Sequence, residues 1–347
     1  MTGLFIEFRD PLFGVIVFFV LIFIVAMFSY WWGRYKLRLD DKTLDRFASQ
    51  FHKLPNEKEL KSLIGEGGLS EKSWLLLAHT YEKEGDFEKA IEIYQALIEF
   101  QKDSVLRRDT MLLLGQIYFK AGFLERSKEI FLQILKAEPR SLKALEQLLL
   151  VYEYLQQYDN ALEVLEPLKE LGMEAGKDEL YLKAVALMRS TQIETSVKIE
   201  TLIHDYQTHQ QLSYLIYEYL FRHNTALAWK HLKMSECERI SDILWQLSED
   251  DLDLDIIAQN SFLRELFTAK GYVNLEQEST IFELDVLIKL RQNHTQCASL
   301  QFEYLCQNCK QIFPFAFHRC PSCHSIDTVI CESILTKDII EENHSFQ

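Results

Sequence analysis

Two different spacings of apolar residues run along this chain. The first is unbroken: Pro11 to Trp32, PLFGVIVFFVLIFIVAMFSYWW, contains no charged residue. At helical rise these residues span about 33 Å, enough to cross a bilayer core. Glu7, Arg9 and Asp10 precede the stretch, whereas Arg34, Lys36 and Arg38 follow it at once. The positive flank predicts that everything after residue 33 faces the cytoplasm, with Tyr30, Trp31, Trp32 and Tyr35 at the interface. A cleaved signal peptide fits poorly, because no basic segment precedes the run and no small-residue cleavage site follows it. Residues 1–33 are therefore expected to be a single transmembrane anchor and 34–70 a juxtamembrane linker with first helices.

The second spacing begins at residue 71 and has a helical period. Trp74, Leu77, Ala78, Tyr81, Gly85, Phe87, Ala90, Tyr94 and Leu97 occupy positions 4, 7, 8, 11, 15, 17, 20, 24 and 27 of a unit starting at Glu71. This is the tetratricopeptide pattern, in which small residues at 8 and 20 let two helices approach and large ones fill the gap between hairpins. Units at 71–104, 108–141 and 142–175 share it; the pattern then decays, although Tyr181, Ala184, Tyr214, Tyr217 and Phe221 keep helical spacing. The expected fold is an all-α tetratricopeptide-type helical solenoid over 71–300. Its Tyr81, Tyr118 and Tyr152 read as core. Its concave face offers Lys72, His79, Glu82, Asp109, Gln116, Phe119, Lys143, Glu146 and Glu153 as candidate partner-binding residues. No unit has the Lys at position 5 with Asn at position 9 that clamps a terminal carboxylate, which disfavours a chaperone-tail receptor.

Charge and cysteines add the chemistry. Among 347 residues, 37 Lys and Arg face 52 Asp and Glu, a net charge of −15. A nucleic-acid partner is not expected of so acidic a chain. Seven cysteines are present, and four form two C-x2-C pairs, Cys306/Cys309 and Cys320/Cys323. Such pairs place four thiolates on one metal ion, iron or zinc. A closed four-thiolate site has no open position for water, so the ion is expected to be structural, holding together a small metal ribbon at 301–347. Cys237, Cys297 and Cys331 read as ordinary thiols, and His318 and His324 as neighbours of the ligands. No G-x-S-x-G, H-E-x-x-H or P-loop is present, and an enzyme is not expected.

Taken in order, anchor, repeats and knuckles resemble one family, lipopolysaccharide assembly protein B. The resemblance rests on GRYKLR at 33–38, LLGQIYFKAGFLERSKEIFLQIL at 113–135, LEQLLLVYEYLQQYDNAL at 145–162, YLCQNC and HRCPSC. It implies a protein of the bacterial inner membrane, single-pass and facing the cytoplasm, whose closing module is rubredoxin-like. The implied role is an adaptor that restrains lipopolysaccharide synthesis. It would help a membrane-bound AAA+ protease degrade the lipid A pathway deacetylase, alongside other inner-membrane lipopolysaccharide factors. Rubredoxin knuckles carry Gly after the second Cys of each pair, where this chain has Lys310 and His324. That departure counts against an electron-transfer protein with a four-thiolate iron centre. A general assembly scaffold for envelope biosynthesis, without proteolysis, is the other alternative.

Overall fold

The computed structural model describes Leu21, Phe23, Met27 and residues 57–65, 70–294 and 297–337. The expected anchor at 11–32 lies outside the described residues except for those three helical positions, as does 34–56 of the linker. Among the described residues no helix is long and apolar enough to cross a membrane. The chain divides into two compact units, Met1–Leu155 and Gln156–Gln347, so the division falls inside the third expected repeat.

The first unit contains α1 (Glu57–Gly65), α2 (Glu71–Glu84), α3 (Phe87–Phe100), α4 (Ser104–Lys120), α5 (Leu124–Ala137) and α6 (Leu142–Tyr154). Local chemistry sets the ends of α2. The Ser70 hydroxyl accepts the Ser73 N–H at 3.2 Å, and Gly85, at φ +81°, takes the left-handed conformation that closes the helix. Asp86 and Asp103 cap α3 and α4 in the same way. The tetratricopeptide positions form the core: Trp74, Leu77, Ala78, Tyr81, Ala90, Tyr94 and Leu97 are all buried. In the second hairpin the small positions touch, the Ser127 hydroxyl donating to the Gly115 carbonyl at 2.8 Å. Tyr81 and Tyr118 are buried as expected, while Tyr152 is only half-buried.

The second unit contains α7 (Tyr158–Glu170), α8 (Gly176–Arg189), α9 (Thr195–His209), α10 (Ser213–His223), α11 (Thr225–His231), α12 (Ser241–Gln246), α13 (Leu254–Gln259), α14 (Ser261–Lys270) and α15 (Phe282–Gln292). Side-chain caps break its middle into short pieces. Asn224, Asp253 and Asn260 accept the N–H groups of Leu227, Ile256 and Leu263 at 3.0–3.1 Å, starting a new helix each time. Aromatic packing fills the interior, with the Phe221 and Trp229 rings 5.2 Å apart edge to face and Tyr217 and Phe267 fully buried. A three-stranded antiparallel sheet follows, with order β2-β1-β3: β1 (Ala298–Cys306), β2 (Ile312–Phe313) and β3 (Val329–Lys337). β1 pairs with β3 from Ala298↔Lys337 to Cys306↔Val329, so the ribbon starts three residues before position 301.

Candidate metal centre

Two loops of the same construction carry the four cysteines. In the first, the Cys306 N–H donates to the Gln311 carbonyl and the Lys310 N–H to the Cys306 carbonyl, both at 2.9 Å. In the second, Cys320 pairs with Ser325 and His324 with Cys320, again at 2.9 Å. Each loop turns at the residue after its second cysteine, where Lys310 and His324 have φ of +61° and +59°. That is the left-handed region where rubredoxin-type knuckles place glycine, so the chain keeps the turn at the cost of side-chain crowding.

The loops bring the four Sγ atoms within 4.8 Å of one another. Cys306 and Cys323 lie 3.6 Å apart and Cys309 and Cys320 3.7 Å. Metal–sulfur bonds of about 2.3 Å in a tetrahedron require about 3.8 Å between sulfurs, whereas a disulfide needs about 2.05 Å. The donor set therefore fits one tetrahedral ion held by Cys306, Cys309, Cys320 and Cys323, and either iron or zinc suits it.

Polar groups converge on these sulfurs. The Thr328 hydroxyl is 3.3 Å from Cys306 Sγ and the Ser325 hydroxyl 3.2 Å from Cys323 Sγ, with the Asn308 amide at 3.6 Å from the latter. Burial works to raise the Cys323 thiol, but the donors from Ser325 and Asn308 outweigh it and bring it down to about 6. Burial dominates at Cys320 and pushes its thiol up to about 12. Cys306 and Cys320 are buried, and Cys309 and Cys323 lie nearer the surface. Between the loops, Phe313 and Phe317 pack edge to face inside the ribbon while Phe315 turns outward.

Around the second loop the ribbon grips the helices of its own unit. Arg319 Nη1 meets Asp178 of α8 at 2.9 Å, and the two side chains are only 8% and 15% exposed. His318 Nε2 lies 2.9 Å from Glu218 of α10. Burial works to raise the Glu218 carboxyl, but His318 and Arg222 overcome it and hold the carboxyl below its usual value. Arg239 Nη2 meets Asp327 at 2.6 Å, and the other Asp327 oxygen accepts the Leu212 N–H at 3.0 Å. Deeper in, Asp242 accepts hydroxyls from Tyr214 and Tyr304 at 2.5 and 2.8 Å. Burial first, and then the Asp242 charge, push both tyrosine hydroxyls up. The other thiols are dispersed: Cys237 is buried, Cys297 exposed, and Cys331 sits 3.5 Å from the Ser241 hydroxyl.

The expected partner-binding residues all belong to the first unit. Glu82 is engaged within the protein, by Lys120 and by His79 at 3.3 Å. Phe119 packs edge to face on Tyr154 at 4.9 Å. Lys72, Asp109, Lys143 and Glu146 are exposed; Gln116 and Glu153 are half-buried. Residues 71–104 match the family described as "Tetratricopeptide repeat". The chain carries a tetratricopeptide repeat there.

Solved structures similar to the chain include a tetratricopeptide repeat protein from Parabacteroides merdae, with 17% identity over 64% of this chain and 86% of that one and a TM-score of 0.39. MamA from Desulfovibrio magneticus shares 16% identity over 57% of this chain and 96% of its own, with a TM-score of 0.33. YrrB, described as a tetratricopeptide repeat protein with an unusual peptide-binding site, shares 15% over 61% and 97%, with a TM-score of 0.33. No curated protein matches the chain.

The clustering of the four cysteines and the repeat at 71–104 were legible from spacing. The grip residues were not: Asp178 and Arg319 are 141 positions apart, and no local pattern links them.

Proposed function

We propose that this chain is a membrane-tethered interaction scaffold in which the repeats capture protein partners and one iron or zinc ion braces the C-terminal ribbon. The observation that carries the reading is the tetratricopeptide repeat at 71–104, whose hairpin presents a helix face to partners while its large side chains are spent on the core. Cys306, Cys309, Cys320 and Cys323 would hold the ion. When bound, it supplies folding energy and no open coordination position. The polar groups around the thiolates hold them in place, and Arg319, His318 and Asp327 bind the ribbon to its helices.

The finer role follows from the family resemblance: an adaptor at the bacterial inner membrane, its bulk in the cytoplasm, that presents the lipid A pathway deacetylase to a membrane-bound AAA+ protease. Tethering by residues 11–32 raises the local concentration of adaptor, client and protease and needs no catalysis. The test is the half-life of the deacetylase in the native host with the protein present and depleted. Depletion is expected to lengthen it several-fold. An unchanged half-life overturns the adaptor role and leaves an assembly scaffold for lipopolysaccharide factors.

A further inference from the structure

We infer that the second unit binds an extended, basic peptide segment, which adds to the outer edge of β3 and seats an apolar side chain in the cavity between the sheet and the helices. The inference stands apart from the adaptor role, since it rests on β3 and the cavity alone.

The cavity measures about 380 Å³, within the range of ligand sites. Phe262 and Leu266 from α14, Leu284 from α15 and Phe302 from β1 give it apolar walls, and Cys331 and Ser333 of β3 line it from the sheet. Phe282, the first residue of α15 and the chain neighbour of the lining residues Ile281 and Glu283, is 69% exposed. β3 is the outermost strand on its side of the sheet. Among the described residues, the backbone groups of 329–337 make hydrogen bonds only in the ladder with β1. Such an edge offers a row of unmet N–H and C=O groups, which a peptide satisfies and a small apolar ligand does not. Side chains alternate along a strand, so every second residue of an added segment lies on the face of Cys331 and Ser333, which is the cavity face.

Charge selects the sign of the segment. Glu238 and Glu283 line the cavity, while Glu332, on the strand face opposite Cys331 and Ser333, stands in register with Glu303; among the described residues none of the four takes part in an ion pair. Lysines or arginines flanking the apolar anchor meet these carboxylates, whereas an acidic segment is repelled.

The test uses the purified full chain, loaded with metal, and a fluorescein-labelled peptide of alternating lysine and valine with one central phenylalanine, read by fluorescence anisotropy. Saturable binding is expected, at least tenfold tighter than for the same peptide with glutamate in place of lysine. N-methylation of alternate peptide nitrogens should weaken it at least tenfold, as should the double variant Glu238→Lys/Glu332→Lys with its far-UV circular dichroism unchanged. Absence of saturable binding overturns the inference. So does equal binding by the N-methylated or acidic peptide, and so does undiminished binding by a folded double variant.

Discussion

At the residue scale, two positions show how little room the interior leaves. A Cβ on Gly115 would lie 2.5 Å from Cε1 of Phe131, a ring that is itself fully buried. Gly115→Val should therefore destabilise the first unit by about 1–3 kcal/mol, read by urea unfolding on Trp74 fluorescence. Cys237 is completely buried, and burial lifts its thiol from 9.0 to about 12. Because the folded value is raised, the thiol's contribution to stability is complete below pH 9 and fades as pH climbs towards 12. Lys270 works in the opposite sense, burial lowering its amine from 10.5 to about 8, so a wild-type curve sums both. Comparison with Cys237→Ala isolates the thiol. The variant should lose less stability than the parent between pH 9 and 11 in urea unfolding followed by circular dichroism.

Elements of this protein end where a side chain competes for backbone groups. Asn224, Asp253 and Asn260 accept N–H bonds that a continuous helix would have made internally, and so α11, α13 and α14 start where they do. The two metal loops follow the same logic, each closed by a pair of 2.9 Å backbone hydrogen bonds around a left-handed residue. An ion held by the four cysteines would brace the two loops, where only the two-residue β2 adds to the β1–β3 pair. Replacing Cys320 and Cys323 by Ser should abolish metal binding, measured as stoichiometry by inductively coupled plasma mass spectrometry, while the helical circular dichroism of the repeats persists. Metal retained at full stoichiometry would refute the ligand assignment.

For the molecule as a whole, the metal ribbon is not a separate bead, because its second loop is fastened into the helices of its own unit. The Arg319–Asp178 pair is the most enclosed of these fastenings. Asp178→Ala leaves a buried guanidinium without its carboxylate and should cost the second unit about 3–5 kcal/mol. Limited proteolysis of the ribbon should accelerate accordingly. The half-life test of the proposed adaptor role belongs to this scale too, since that role would need anchor, repeats and ribbon in one chain.

Sequence alone was enough for the first repeat hairpin and the two cysteine loops, which depend on near neighbours. Small and large residues at fixed positions of a 34-residue unit marked the hairpins, because each position contacts its own helix partner. C-x2-C spacing marked the four clustered cysteines, because each pair sits on one tight loop. Lys310 and His324 were visible as departures from glycine, but that they nonetheless adopt positive φ required the fold. The helical spacing around Tyr181 and Tyr214 was readable as well. The short helices of the second unit and its boundary at Gln156 were not, because weak apolar periodicity is overridden there by capping side chains and by packing against the sheet. Tertiary structure alone brought Asp178 to Arg319, Asp242 to Tyr304 and Arg239 to Asp327, across separations of 141, 62 and 88 residues. A charge states its sign in the sequence; its partner is chosen only when the chain has closed around it.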